Sequence, residues 1–166
     1  MMSDALEGNK PLFIKELYSA HKMISTRKTV TDKRTSYISE WLKLLRPTSW
    51  KIFHIRNIDQ IEWRRIVEEV DKNMVKTDKN RKEFIKIEKI MKDNTKILKQ
   101  IVSKKGCITI LKFGLVASHC AWLIVQHSDY DLEFQKEYLR IMKENRGDVL
   151  ERDINALEGR VVNINN

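Results

Sequence analysis

Leu115-Val116-Ala117-Ser118-His119-Cys120-Ala121-Trp122-Leu123-Ile124-Val125-Gln126 is the stretch whose reading decides the fold. Wound on a 3.6-residue period it is apolar on nearly every side, which predicts a helix enclosed by other helices rather than one lying on a surface. The apolar region Phe113–Val125 is interrupted by Ser118, His119 and Cys120. It is also shorter than the ~20 residues needed to cross a bilayer. The expectation is therefore an all-α, compact multi-helix domain built around a central apolar helix. At the end of this helix stand Gln126-His127-Ser128-Asp129, then Asp131, Phe134 and Gln135, the densest set of reactive polar side chains in the chain.

Outward on the C-terminal side, a helix is expected over roughly Asp131–Asn145, with Phe134, Tyr138, Ile141 and Met142 facing inward and Asp131 or Glu133 at its positive end. Gly147 breaks it. A last amphipathic piece carries Leu150, Ile154, Leu157 and Val161, with Arg160 near its end.

On the N-terminal side, Gly106 reads as a left-handed helix cap. Cys107–Leu111 reads as an extended connection or a small strand. Phe84, Ile87, Met91, Leu98 and Ile101 keep helical spacing, with Asp93-Asn94 interrupting or capping that helix. A polar break is expected at Lys76–Asn80. Before it, Trp63, Ile66, Val67, Val70 and Met74 form the stripe of a helix over Asp59–Asn73, entered through Trp50–Ile58. Thr35–Arg46 reads as a short helix that turns Tyr37, Trp41, Leu44 and Leu45 to the core and ends at Pro47. Ile24–Lys33 reads as a loop, and Pro11 suits the first turn of the first helix.

The chain has 166 residues, 42% of them hydrophobic, with five Gly and two Pro. This composition excludes global disorder and favours helix. The net charge of +9 is uneven. Residues 1–60 carry 11 basic and 6 acidic side chains, residues 61–105 carry 14 and 8, and residues 106–166 carry 7 and 9. The basic excess thus lies outside the central motif, where it either steers an anionic partner or keeps the chain soluble. Nucleic acid and acidic proteins are the partner classes to consider. The group Arg27, Lys28, Lys33, Arg34 and Tyr37 suits phosphates and a base, but a solvated basic surface beside a packed aromatic is the simpler reading, and no helix-turn-helix, zinc-finger or ribonucleoprotein-type motif accompanies it.

The two cysteines, Cys107 and Cys120, form neither a close pair nor a metal-ligand series. A reducing, cytoplasmic location without a secretory leader or membrane span is expected. His119 and His127 lie about 12 Å apart on a regular helix at 1.5 Å per residue, so they do not share a metal ion. No metal and no cofactor are expected.

His119 reads as a core histidine, whereas His127 stands at a helix exit, where an imidazole can exchange a proton near neutral pH. Asp129 or Asp131 can orient its ring, although Asp131 more simply caps the next helix. Gln60 and Arg64 share a helix face beside Asp59, and Arg64 offers a planar fork to a carboxylate or phosphate. A structural pairing with Asp59 is the alternative. Arg160 either meets an anionic ligand or makes a charge interaction at its helix end.

Asp59-Gln60 with Arg64, the segment holding Asn94 and Gly106, and above all Ala121–Asp129 followed by Asp131, Phe134 and Gln135 resemble a bacterial domain-of-unknown-function family, family 6624. Leu157-Glu158-Gly159-Arg160 looks like that family's later Leu-Glu-Asp-Arg element. The resemblance spans about residues 55–162. It divides the chain into a basic N-terminal helical extension (1–54) packed on the main domain, a family-like helical domain (55–162) and a short tail (163–166). It implies that Asp59, Gln60, Arg64, Gln126, His127, Asp129, Gln135 and Arg160 belong to one polar pocket. Three departures stand out. Cys107-Ile108 replaces Trp-Pro, Gly159 replaces an aspartate, and a family-like Gln-x-Tyr-Gly-Thr-Gln ending does not follow. If that ending completes the pocket, an inactive, regulatory or shortened copy is expected.

The leading expectation is an enzyme-like pocket acting on a polar or anionic substrate by hydrolysis or group transfer. His127 would move the proton, Asp129 orient its ring, Gln126 and Gln135 position the substrate, and Arg64 and Arg160 hold negative charge. Two alternatives are an interaction or regulatory domain using the basic surface, and a polar cluster that only specifies helix packing.

Overall fold

The computed structural model describes residues 10–28, 37–73 and 78–164. Among these residues there are eight helices and no strand: α1 (Lys10–Lys28), α2 (Tyr37–Leu44), α3 (Pro47–Asn73), α4 (Asp78–Lys105), α5 (Ile110–Phe113), α6 (Leu115–Gln126), α7 (Leu132–Glu144) and α8 (Glu151–Ile164). The expected all-α class holds, and α6 is its axis. Ten of the twelve α6 residues are buried, and α6 packs against each of the other seven helices. A helix that is apolar all round has no solvent face to offer, so its neighbours must enclose it.

One core cluster joins Ala20 and Ile24 of α1, Leu44 of α2, Ile52 and Phe53 of α3, Leu98 of α4, Cys120 and Val125 of α6, Tyr138 of α7 and Leu157 of α8. α3 runs unbroken through residues 54 and 55, where the extension and the main domain were expected to divide. His119 fills its expected core position: Nδ1 lies 2.7 Å from Asp153 Oδ2 of α8, and the ring packs on Trp122. Cys107 and Cys120 are both free and buried, and burial pushes the Cys107 thiol up to about 11. Among the described residues no helix is long and apolar enough to cross a membrane.

Several local expectations are corrected. α1 continues to Lys28, through the first part of the expected loop, because Ile24 extends the buried line of Glu16 and Ala20 by one more turn. The remainder of that loop, with Lys33, and Arg34 after it lie outside the described residues. Pro47 does not close α2 but opens α3, the first helical position where its missing N–H is harmless. The turn between them leaves Leu45 exposed rather than in the core. Asp93-Asn94 neither interrupts nor caps α4. Asn94 is buried inside it and donates Nδ2 to the Ile55 carbonyl of α3 at 2.8 Å, so α4 stays continuous and is pinned to α3. α4 already begins at Asp78, inside the expected polar break, and Lys76 and Met74 lie outside the described residues. Of Cys107–Leu111, Cys107–Thr109 is the short connection, with Thr109 extended at φ −90° and ψ 160°, while Ile110 and Leu111 already belong to the one-turn α5 and no strand forms there.

The other breaks fall as expected. Gly106 closes α4 at φ 74°, with its N–H donating to the Val102 carbonyl. Asp131 caps α7 by accepting from the Phe134 N–H at 3.2 Å.

Candidate functional site

α6 ends at His127, whose N–H donates to the Leu123 carbonyl. The turn that follows is built from inside. The Ser128 hydroxyl donates to the Val125 carbonyl at 2.6 Å. Fully buried Gln135 of α7 donates Nε2 to the same carbonyl and to Asp129 Oδ1, each at 3.1 Å. Reversing this amide would set its oxygen against a carbonyl and a carboxylate, so the arrangement fixes which end faces the turn. Outside the turn, Tyr130 donates to the Met91 carbonyl and Lys99 donates to Asp131 at 2.7 Å, tying it to α4.

His127 therefore leaves α6 at a fixed point, and α3 meets it there. His127 Nδ1 lies 3.3 Å from Asp59 Oδ2. Asp59 is 5% exposed at its side chain, and His127 is 30% exposed. A carboxylate accepts only, so Nδ1 carries the proton in this pair and Nε2 is left as the basic nitrogen of the neutral ring. Arg56, one turn earlier on α3, lies close enough to Asp59 to interact with it electrostatically. Burial pulls its guanidinium below its usual range, with Cys120 and then Asp59 acting in the opposite direction.

Around this pair opens a cleft of about 360 Å³, lined by Asp59, Gln60, Trp63, Met91, His127, Asp129 and Arg160. Trp63 is 43% exposed and meets Phe84 edge-on. With Met91 it adds an apolar part to the cleft lining, Trp63 lying one turn beyond Asp59 and Gln60 on α3. Asp129 and Arg160 also line an adjoining groove of about 480 Å³, together with Gln126, Asn155, Ala156, Gly159 and Asn163. Arg160 donates Nε to Asp129 Oδ1 at 2.7 Å and Nη2 to Asp129 Oδ2. These bonds hold the Asp129 carboxyl below the usual carboxylate range, with burial opposing and Gln135 assisting.

Asp59, Gln60, His127, Asp129 and Arg160 thus come together, but four placements differ from those expected. The partner of the His127 ring is Asp59, not Asp129, because Arg160 and Gln135 already engage Asp129. Gln135 lines neither space, since it is fully buried and clamps the turn. Gln126 points to the adjoining groove rather than the His127 cleft. Arg64 is exposed and lines neither space. The 3.6-residue period places residue 64 more than a turn from Asp59 and off its face.

Sequence reading also missed Trp63 and Met91, which it assigned to core stripes, and Asn155 and Asn163. The signal for Trp63 was its position one turn beyond Asp59 and Gln60. Asn155, Gly159 and Asn163 are spaced by four, which marks one helix face. Among the described residues, no group of three or more His, Cys, Asp or Glu side chains is arranged to hold a metal ion.

The Asp129–Arg160 pair has a pH consequence. A carboxyl whose folded pKa is depressed stabilises the fold above its ordinary value near 3.9, and that contribution is lost as pH falls through the folded value. The pair is half exposed, so its expected worth is at most about 1 kcal/mol. Asp129→Asn is expected to lose this increment at neutral pH and to converge on the wild type in acid. Urea unfolding at pH 7 and again below about pH 3 checks this. A gap of unchanged size in acid would contradict the assignment.

No family model matches the chain, and neither a curated protein nor a solved structure matches it.

Proposed function

We propose that this helical domain is an enzyme-like protein that carries out hydrolysis or group transfer on a polar substrate, with His127 as the proton-transfer residue. The observation that carries this reading is the Asp59–His127 pair at the edge of an open cleft. A buried carboxylate on Nδ1 fixes the tautomer and steadies the imidazolium that forms when Nε2 takes a proton from a water or hydroxyl. Gln60 offers hydrogen bonds to the substrate, Arg160 balances negative charge, and Trp63 with Met91 receives the apolar part. The expected resemblance to family 6624 would group Asp59, Gln60, His127, Asp129 and Arg160 with Arg64, Gln126 and Gln135, and it brings no reaction with it.

The test is turnover across a panel of chromogenic carboxylic esters, amides and phosphate esters, for the wild type and for His127→Ala shown to be folded by circular dichroism. Loss of a wild-type activity in the variant is expected. Unchanged turnover in folded His127→Ala, or no wild-type turnover on any member, would overturn the reading.

A second reading has its own observation. Lys82, Lys86, Lys89, Lys92, Lys96 and Lys99 are exposed along α4. Three of them pair with Glu62, Glu88 and Asp131. For Lys82, Lys89 and Lys96 no carboxylate partner stands among the described residues. A nucleic-acid or acidic-protein face would show affinity falling steeply with salt. A flat salt response counts against it.

A further inference from the structure

The groove beside the His127 cleft has a chemical character of its own. Its walls are the amides of Gln126, Asn155 and Asn163, the small residues Ala156 and Gly159, and the Asp129–Arg160 pair. Arg160 meets Asp129 side-on, through Nε and Nη2. Nη1 has no partner among the described residues. A guanidinium has five N–H donors in a planar fork, so the end-on edge, Nη1 with the second hydrogen of Nη2, is still free. Asp129 is itself held by Gln135. Together they form a chain of supports that fixes Arg160 in the plane of Asp129 and leaves one bidentate edge unused. Such an edge matches the two oxygens of a carboxylate or phosphate. Among the described residues the acid on the groove wall, Asp129, is already compensated by Arg160, and the remaining polar groups are amides able to donate.

We propose that this groove is a subsite for an oxyanion, either a carboxylate or a phosphate, at one end of the ligand whose reacting bond lies at His127. The inference rests on the reading of His127 as the proton-transfer residue. It adds that the substrate carries an anionic group beyond the reacting bond. The ligand would span Asp129 and Arg160, the two residues that line both spaces. Arg160 is thus a binding residue, and Asp129 and Gln135 are positioning residues acting through it.

Gly159 supplies a test that spares the fold. A Cβ built there meets nothing within 4 Å, and any other residue except proline is a better helix former than glycine. Gly159→Phe is expected to fill the groove without lowering Tm. The full chain is titrated with inorganic phosphate and, separately, with acetate at constant ionic strength. The Arg160 Nε–H and the Asn155 and Asn163 side-chain amide NMR signals are followed.

Saturable shifts with at least one oxyanion are expected, and the stronger arm identifies a phosphate or a carboxylate end. Binding is expected to weaken at least about tenfold in Gly159→Phe, and by a similar factor in Arg160→Lys, which keeps the charge but loses the fork. Saturation by neither oxyanion overturns the subsite, as does unchanged binding in folded Gly159→Phe or in Arg160→Lys. If an oxyanion saturates while folded His127→Ala keeps its turnover, the proton-transfer reading fails and the subsite stands. If His127→Ala loses turnover while neither oxyanion saturates, the subsite fails and the proton-transfer reading stands.

Discussion

His127→Ala is expected to slow turnover about 10²–10⁴-fold, the usual contribution of a positioned general base, and Asp59→Asn to approach the same loss. In barrier terms this is about 3–5 kcal/mol at 1.36 kcal/mol per factor of ten. The Asp59 effect follows from the tautomer. The wild-type carboxylate, buried at 3.3 Å from Nδ1, only accepts and so keeps the proton on Nδ1. An asparagine can present its NH₂ instead, which moves the ring proton to Nε2 and removes the base from the cleft. Even with its oxygen inward, the neutral amide no longer steadies the imidazolium. The Nδ1 and Nε2 resonances of ¹⁵N-histidine-labelled protein report the tautomer independently of turnover. Retention of the Nδ1–H form in Asp59→Asn, together with full activity, would show that Asp59 has no part in the chemistry. Asp59→Asn also leaves the largely buried Arg56 without its nearby charge. The stability cost must therefore be measured separately by urea unfolding, so that lost activity is not mistaken for lost fold.

The same Asp59 shows where sequence reading stops. That α6 is central is legible, because twelve residues apolar on nearly every side have only one environment that suits them. That His127 would sit at the exit of α6, and that Asp131 would cap the next helix, followed from local rules of similar strength. The partner of His127 was not legible. Asp129 is two residues away and Asp59 is 68 residues away, and proximity in sequence favoured the wrong one. The deciding bonds are those of Gln135 and Arg160 to Asp129, and both depend on how α7 and α8 return to the end of α6. For a related reason Arg64 reads as a pocket residue although it lines neither space, and Trp63 reads as part of a stripe although it lines the cleft. An amphipathic stripe tells which residues share a face, but not whether that face meets a core or a cleft. Pro47 failed differently: a proline that cannot continue one helix is equally suited to begin the next, and only a two-residue turn separates the two here.

Gly114→Ala is expected to cost about 3–5 kcal/mol of stability, because two independent penalties meet at one atom. Gly114 stands between α5 and α6 at φ 91° and ψ 158°, a region essentially reserved for glycine. Forcing another residue there costs about 1–3 kcal/mol. The added Cβ would also lie 3.0 Å from Lys43 Cβ and 3.1 Å from Glu40 Oε2. That oxygen cannot move freely, since it accepts the Leu115 N–H at 2.6 Å. A buried carboxylate at the first turn of α6 satisfies an orphan donor and meets the positive end of the helix. A hydrogen bond to a charged group contributes about 1.5–3 kcal/mol. Gly106 and Gly147 provide the control. They too have positive φ, 74° and 96°, but a Cβ at either meets nothing within 4 Å, so alanine there carries the backbone strain alone, about 1–3 kcal/mol. Chemical denaturation of the three alanine variants separates the contributions. If Gly114→Ala were no worse than Gly106→Ala, the Glu40 contact would have no energetic weight. If it is worse by the expected margin, α2 sets the entry of the helix whose other end places His127 against Asp59. Part of the candidate site is then positioned from the N-terminal 54 residues.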